Sequence, residues 1–170
     1  MPVQAKIKMW PAIHQSDSGF SAPQATAATF IEGAPVKMSA GTLVACTTAN
    51  KSSTTHIANA SLNNVIGISG GKAIVSSTNN LLVHKIQEGM EFVGNLVHTS
   101  ASSAKVSAIG STVYIGKDKS SDTHYGWSLT APTSSSAAVQ GIITRLVDPA
   151  STVNGRVQAQ ITLGGALSAF

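Results

Sequence analysis

The segment VIGISGGKAIV, residues 65–75, admits two readings that lead to different proteins. As a phosphate loop, Gly70-Gly71-Lys72 belongs to a nucleotide-binding α/β fold; as strand, turn and strand, it belongs to an all-β one. The phosphate-loop pattern G-x-x-x-x-G-K-[ST] needs a glycine where Ile66 stands and a magnesium-ligating hydroxyl where Ala73 stands. It also needs a helix whose N-terminal amides face the anion, whereas KAIVSST is β-branched and ends in turn formers. Two adjacent glycines between β-branched runs instead match a two-residue hairpin, because primed turns require positive φ. On that reading Lys72 is an exposed strand residue.

The chain beyond it supports the β reading. From Gly33 onward, short β-branched runs alternate with Gly, Asn, Ser and Thr: PVKM, LVACT, NVIGIS, KAIVS, LLVHKIQ, EFVGNLVHT, KVSAI, STVYIGK, YGWSLT, VQGIITRLVD and RVQAQITL. This spacing predicts an all-β body, a small barrel or sandwich. Few segments carry an apolar stripe at helical spacing, so helix is minor, with at most one turn over ANASLNNV, residues 58–65. Residues 1–29 differ from the body over residues 30–170. Pro11 and Pro23 interrupt regular structure there, which predicts an extended N-terminal arm with one short strand at most. Its apolar residues are too many for a free tail and dock either on the body or on a neighbouring subunit; Ile7, Met9, Trp10 and Ile13 are expected to contact a neighbouring subunit or the shell.

An internal echo adds to this. Gly33-Ala34-Pro35-Val36 resembles Gly110-Ser111-Thr112-Val113 at an offset of 77, and Val65-Ile66-Gly67-Ile68 resembles Val139-Gln140-Gly141-Ile142 at an offset of 74. Val83 falls opposite Val157 at the same offset of 74. A glycine before a strand tolerates positive φ, and one inside V-x-G-I permits a bulge or a close backbone approach. Gly33, Gly67, Gly110 and Gly141 are therefore read as structural. Two similar β units, about residues 30–100 and 105–165, or two halves of one pseudo-symmetric barrel produce this pattern. Coincidence among common Gly and Val residues is the competing account.

Composition narrows the function classes. Only 11% of the 170 residues are charged, against about 25% in ordinary soluble domains, while 42% are hydrophobic, enough to supply a core. The formal charge of +4 comes from nine lysines and two arginines scattered along the chain, without the basic, aromatic-interleaved cluster that specific nucleic-acid binding needs. The single Cys46 excludes an internal disulfide and multi-cysteine zinc sites, and its TLVACTTA setting reads as a buried strand position. No run approaches the roughly 18 apolar residues of a membrane span, and MPVQAKIKMWPAIHQ has no signal-peptide core. A protein made in the cytoplasm, without membrane or specific nucleic-acid partners, is expected.

Catalytic and metal signatures are missing from the sequence. The five histidines show no short ligand spacing, Glu88 and Glu91 flank the turn QEGME, and there is no G-x-S-x-G elbow. The sequence therefore predicts no enzyme, no catalytic residue, no metal site and no cofactor. KDKSSDTHYGW, residues 117–127, is the most functional-looking segment. Asp118, Asp122 and His124 are metal-capable, and Tyr125 with Trp127 offers a stacking platform for a sugar. A polar hairpin tip is the simpler reading, leaving Asp122, His124, Tyr125 and Trp127 as exposed loop contacts.

Taken together, GAPV, LVACTTA, VIGIS, VGNLV, GSTVYIG, VQGIITRLVD and GRVQAQITL, between Gly33 and Ile161, resemble the small decoration, or cement, proteins of tailed-bacteriophage capsids. The resemblance covers about three quarters of the chain and rests on short motifs. It implies a barrel or tulip-like body, no cofactor, and a virion protein that binds the major capsid protein on the outer shell surface. It also implies self-assembly as a homo-oligomer at local symmetry axes, with a homotrimer favoured over a homodimer. The long N-terminal segment and the tail GGALSAF depart from the family pattern. The alternative is a surface-adhesion or carbohydrate-binding β module using Tyr125 and Trp127.

Overall fold

The computed structural model describes residues 9–12, 19–46, 65–97, 109–117, 125–129, 139–150 and 152–162. The described elements are all strands: β1 (Met9–Pro11), β2 (Phe20–Pro23), β3 (Pro35–Ser39), β4 (Thr42–Ala45), β5 (Val65–Ser69), β6 (Asn80–Lys85), β7 (Glu91–Asn95), β8 (Thr112–Lys117), β9 (Tyr125–Ser128), β10 (Gln140–Leu146) and β11 (Arg156–Thr162). They form two antiparallel sheets, one ordered β2-β6-β5-β3-β4 and the other β1-β7-β11-β10-β8-β9.

Without β1, the two sheets have the same plan: first strand, last, fourth, second, third. The hydrogen bonds repeat as well. Each sheet curls until the end of its first strand meets its third through one parallel bridge, Gln24 to Leu43 in one and Leu96 to Trp127 in the other. The next amide reinforces each bridge, Ala25 N donating to Leu43 O at 3.0 Å and Val97 N to Trp127 O at 2.9 Å. In both sheets the bridging residue also donates its own amide to the connection before the last strand, Gln24 N to Asn79 O and Leu96 N to Gly155 O.

The glycines occupy equivalent places. Val36 pairs with Gly67 and Val113 with Gly141, and three residues before each valine the chain turns through positive φ, 78° at Gly33 and 90° at Gly110. Only glycine takes such a turn without steric cost. Gly67 and Gly141 act differently, by allowing a neighbouring backbone to approach. A Cβ on Gly67 would stand 2.3 Å from His84 O, and one on Gly141 would stand 2.8 Å from Gln160 O.

Three features differ from the sequence expectation. The sheets divide the chain between β6 and β7, so EFVGN belongs to the second unit and not the first. Residues expected in the arm supply two strands, β1 at the edge of the second sheet and β2 at the edge of the first. Proline is compatible with both because an edge strand, or a strand end, need not donate every amide to a ladder. Finally, KAIVS is not a strand. Neither Gly70 nor Gly71 has positive φ, and the two-residue turn with both φ positive lies at Ala40-Gly41, between Ser39 and Thr42.

The buried residues form a continuous core drawing on both sheets, with Val36, Leu43 and Ile68 from the first and Phe92, Trp127 and Ile143 from the second. Strict alternation on β11, where Val157, Ala159 and Ile161 are buried, produces one inward face. Met9 lies in the same core, fully buried, and its amide donates to Gly33 O at 3.2 Å, tying β1 to the turn before β3. No described helix is long and apolar enough to cross a membrane.

Candidate interaction surfaces

The predicted contact residues fall into different environments. Ile7, Ile13, Asp122 and His124 lie outside the described residues. Met9 cannot present a contact, because its side chain is consumed by the core of its own chain. Trp10, the next residue on β1, points the opposite way and is 37% exposed. Tyr125 and Trp127 are not loop residues: they sit on β9 and are 2% and 0% exposed. The Trp127 indole N–H donates to Phe92 O at 3.3 Å, and a Cβ on Gly94 would approach the indole to 3.0 Å, so Gly94 makes room for the ring. Their i, i+2 spacing puts both rings on one face of β9, a strand whose four residues are all buried.

Two surfaces stand out instead. The first is the connection between β5 and β6, residues 70–79, which exposes Ile74 and Val75 at 55% and 61%. It is held from below by Gln24, which is completely buried. Its amide nitrogen donates to Ile74 O and, at 3.0 Å, to Ser77 O, while its amide oxygen accepts from Ile74 N at 3.0 Å. Ala73 N donates to Phe30 O and Ser76 N to Thr26 O, fixing the rest of the turn. Where the first unit has this buried glutamine, the equivalent bridging position in the second has the apolar Leu96. The glutamine thus presents two large apolar side chains to solvent on an ordered frame.

The second surface is an open groove of about 690 Å³ on the outward face of β1, β7, β11 and β10. Strand register sets Trp10, Val93, Gln158 and Arg145 in one row across these four strands. Glu91, on the same face, accepts from Thr144 Oγ1 at 2.9 Å and from Gln158 Nε2 at 2.6 Å, and Gln160 Nε2 donates to Gly89 O at 3.2 Å. At one end Arg156 and Asp148 form a two-pronged pair, with Nη2 to Oδ1 at 2.7 Å and Nε to Oδ2 at 3.0 Å. Those side-chain bonds, and then the Arg156 backbone amide, hold the Asp148 carboxyl below its usual range, and the same side-chain bonds with the Asp148 charge push the guanidinium up. A pair this exposed adds little stability, but it fixes the local direction of Arg156.

Cys46 follows β4 and is fully buried, and burial pushes its thiol up to about 12, opposed by the weaker influence of Lys37. Such a thiol is a packing group and a poor nucleophile at neutral pH. Among the described residues no group of three His, Cys, Asp or Glu side chains is placed to hold a metal ion. No family model and no curated protein matches the sequence.

Proposed function

We propose that this chain is a structural virion protein that binds the outer surface of a tailed-phage capsid, contacts the major capsid protein and cements the shell as a homotrimer. The observation that carries the reading is the Ile74–Val75 platform. Leaving two large aliphatic side chains in water on a loop clamped by three buried-amide hydrogen bonds makes sense where a partner covers them. Because the loop is already ordered, docking loses little conformational entropy, and the Ser/Thr/Ala-rich surface around it has few long side chains to immobilise. Two units of one strand plan sharing a core supply a stiff body for repeated, modest contacts, whose effect multiplies when many copies act on one shell.

The test is the double variant Ile74→Ser/Val75→Ser, assayed by cosedimentation with undecorated expanded capsids. Each side chain contributes about 1.5–3 kcal/mol when fully buried, and binding realises only part of it. A loss of tenfold or more in affinity with an unchanged melting temperature is expected. Unchanged binding would remove the platform from the interface. Removing residues 1–20 is no substitute, because it takes away β1 with the buried Met9 and the first residue of β2.

A further inference from the structure

We infer that the open groove on the second sheet is a binding site for an anionic oligosaccharide. Both arginines of the chain line it, together with the more exposed of its two tryptophans. Concentration of these residue types in one groove contrasts with a surface otherwise poor in charge. Trp10 and Arg145 occupy the same cross-strand row with β7 and β11 between them. At about 4.8 Å per strand spacing their backbones are roughly 14 Å apart, which suits several linked sugars better than one.

Each part of the row has a task. An indole offers a flat apolar face to the C–H side of a pyranose. Between the ends, Gln158 and Glu91 are bonded to each other and Glu91 also to Thr144, so their orientations are set before any ligand arrives. Pre-set amide and carboxylate groups bind sugar hydroxyls at lower entropic cost than free ones. Arg145 is exposed and makes no ion pair or hydrogen bond among the described residues, whereas Arg156 is engaged by Asp148. One uncommitted guanidinium favours a ligand carrying a carboxylate or sulfate, which it binds in a two-pronged manner. This site belongs to the second unit, while the Ile74–Val75 platform belongs to the first, and it does not depend on the shell reading.

Isothermal titration of the full chain with oligogalacturonate and chondroitin-sulfate hexamers, and with neutral maltohexaose, tests the inference. Saturable binding of at least one acidic hexamer is expected, with maltohexaose weaker by tenfold or more. Arg145→Gln should weaken the acidic ligand at least tenfold, and Trp10→Ala should do likewise. Lys72→Gln, which removes an exposed cation of the first unit, should leave binding unchanged. Arg145→Gln alters no internal contact among the described residues, so it remains informative even if Trp10→Ala disturbs β1. Failure of both acidic hexamers to bind, or an equal loss in Lys72→Gln indicating diffuse charge attraction, overturns the inference. So does loss of capsid binding in Arg145→Gln without any glycan binding, which would assign the groove to the shell.

Discussion

Replacing Gln24 by alanine is expected to release the 70–79 connection while leaving every strand partner in place. The substitution removes two donated hydrogen bonds and one accepted one, all directed to backbone groups of Ile74 and Ser77. At a net value of about 1 kcal/mol each, with partial compensation because water reaches the exposed Ile74, the cost is about 2–3 kcal/mol. For a chain of this size each kcal/mol corresponds to roughly 2–4 °C, so the melting temperature should fall by about 4–12 °C. Circular dichroism gives the melting temperature, and amide hydrogen exchange at Ile74 reports the local release. Gln24→Glu sharpens the test: it keeps an acceptor for the Ile74 amide but sets a carboxylate against the Ile74 and Ser77 carbonyls. Burial and those carbonyls raise the folded pKa of the introduced acid, so its stability is present at low pH and lost as pH rises. Gln24→Glu should therefore be at least as damaging as alanine at pH 7 and partly recover near pH 4. A melting temperature within about 1 °C of the parent, with unchanged exchange at Ile74, would refute the clamp.

Other outcomes follow from the same contacts. Gly67→Ala should destabilise by about 3 kcal/mol and Gly141→Ala by about 1–2 in chemical denaturation, since the new methyl meets backbone oxygen at 2.3 Å in the first and 2.8 Å in the second; equal costs would contradict the close-approach argument. The Cys46 thiol should react with a disulfide reagent at pH 8 only at the rate of global opening, and rapid reaction in the folded protein would contradict its burial. Its folded pKa of about 12 lies above the ordinary 9.0, so stability is full below pH 9 and declines as pH rises toward 12, an effect absent in Cys46→Ala.

Much of the fold was legible because its signals are local. Alternation in RVQAQIT and EFVGN, and glycine at Gly33, Gly67, Gly110 and Gly141, reflect strand faces and turns that each residue imposes on its neighbours. What failed depended on distant partners. KAIVS has strand composition, but its amides and carbonyls are claimed by Phe30, Gln24 and Thr26, so the segment turns outward. The prolines of Met9–Pro11 and Phe20–Pro23 argue for one short strand at most in residues 1–29, although an edge position tolerates proline and both segments are strands. The echo between Val83 and Val157 was displaced by two residues: Val83 pairs with Ser69, and Ile143, the counterpart of Ser69, pairs with Ala159. A shift of two keeps the same strand face, which is why the pattern looked right. Of the two surfaces the sequence marks only Trp10 as a contact residue, since Ile74 resembles a core residue until Gln24 is placed beneath it, and Trp10 meets Arg145 only through the register of four strands.

The most direct measurement is a binding isotherm of the 170-residue chain on undecorated expanded capsids, read by cosedimentation across a concentration series. Saturable binding, trimeric protein in light scattering, and a plateau that disappears with Ile74→Ser/Val75→Ser are expected. A chain that stays monomeric and remains in the supernatant while every shell pellets would contradict this reading.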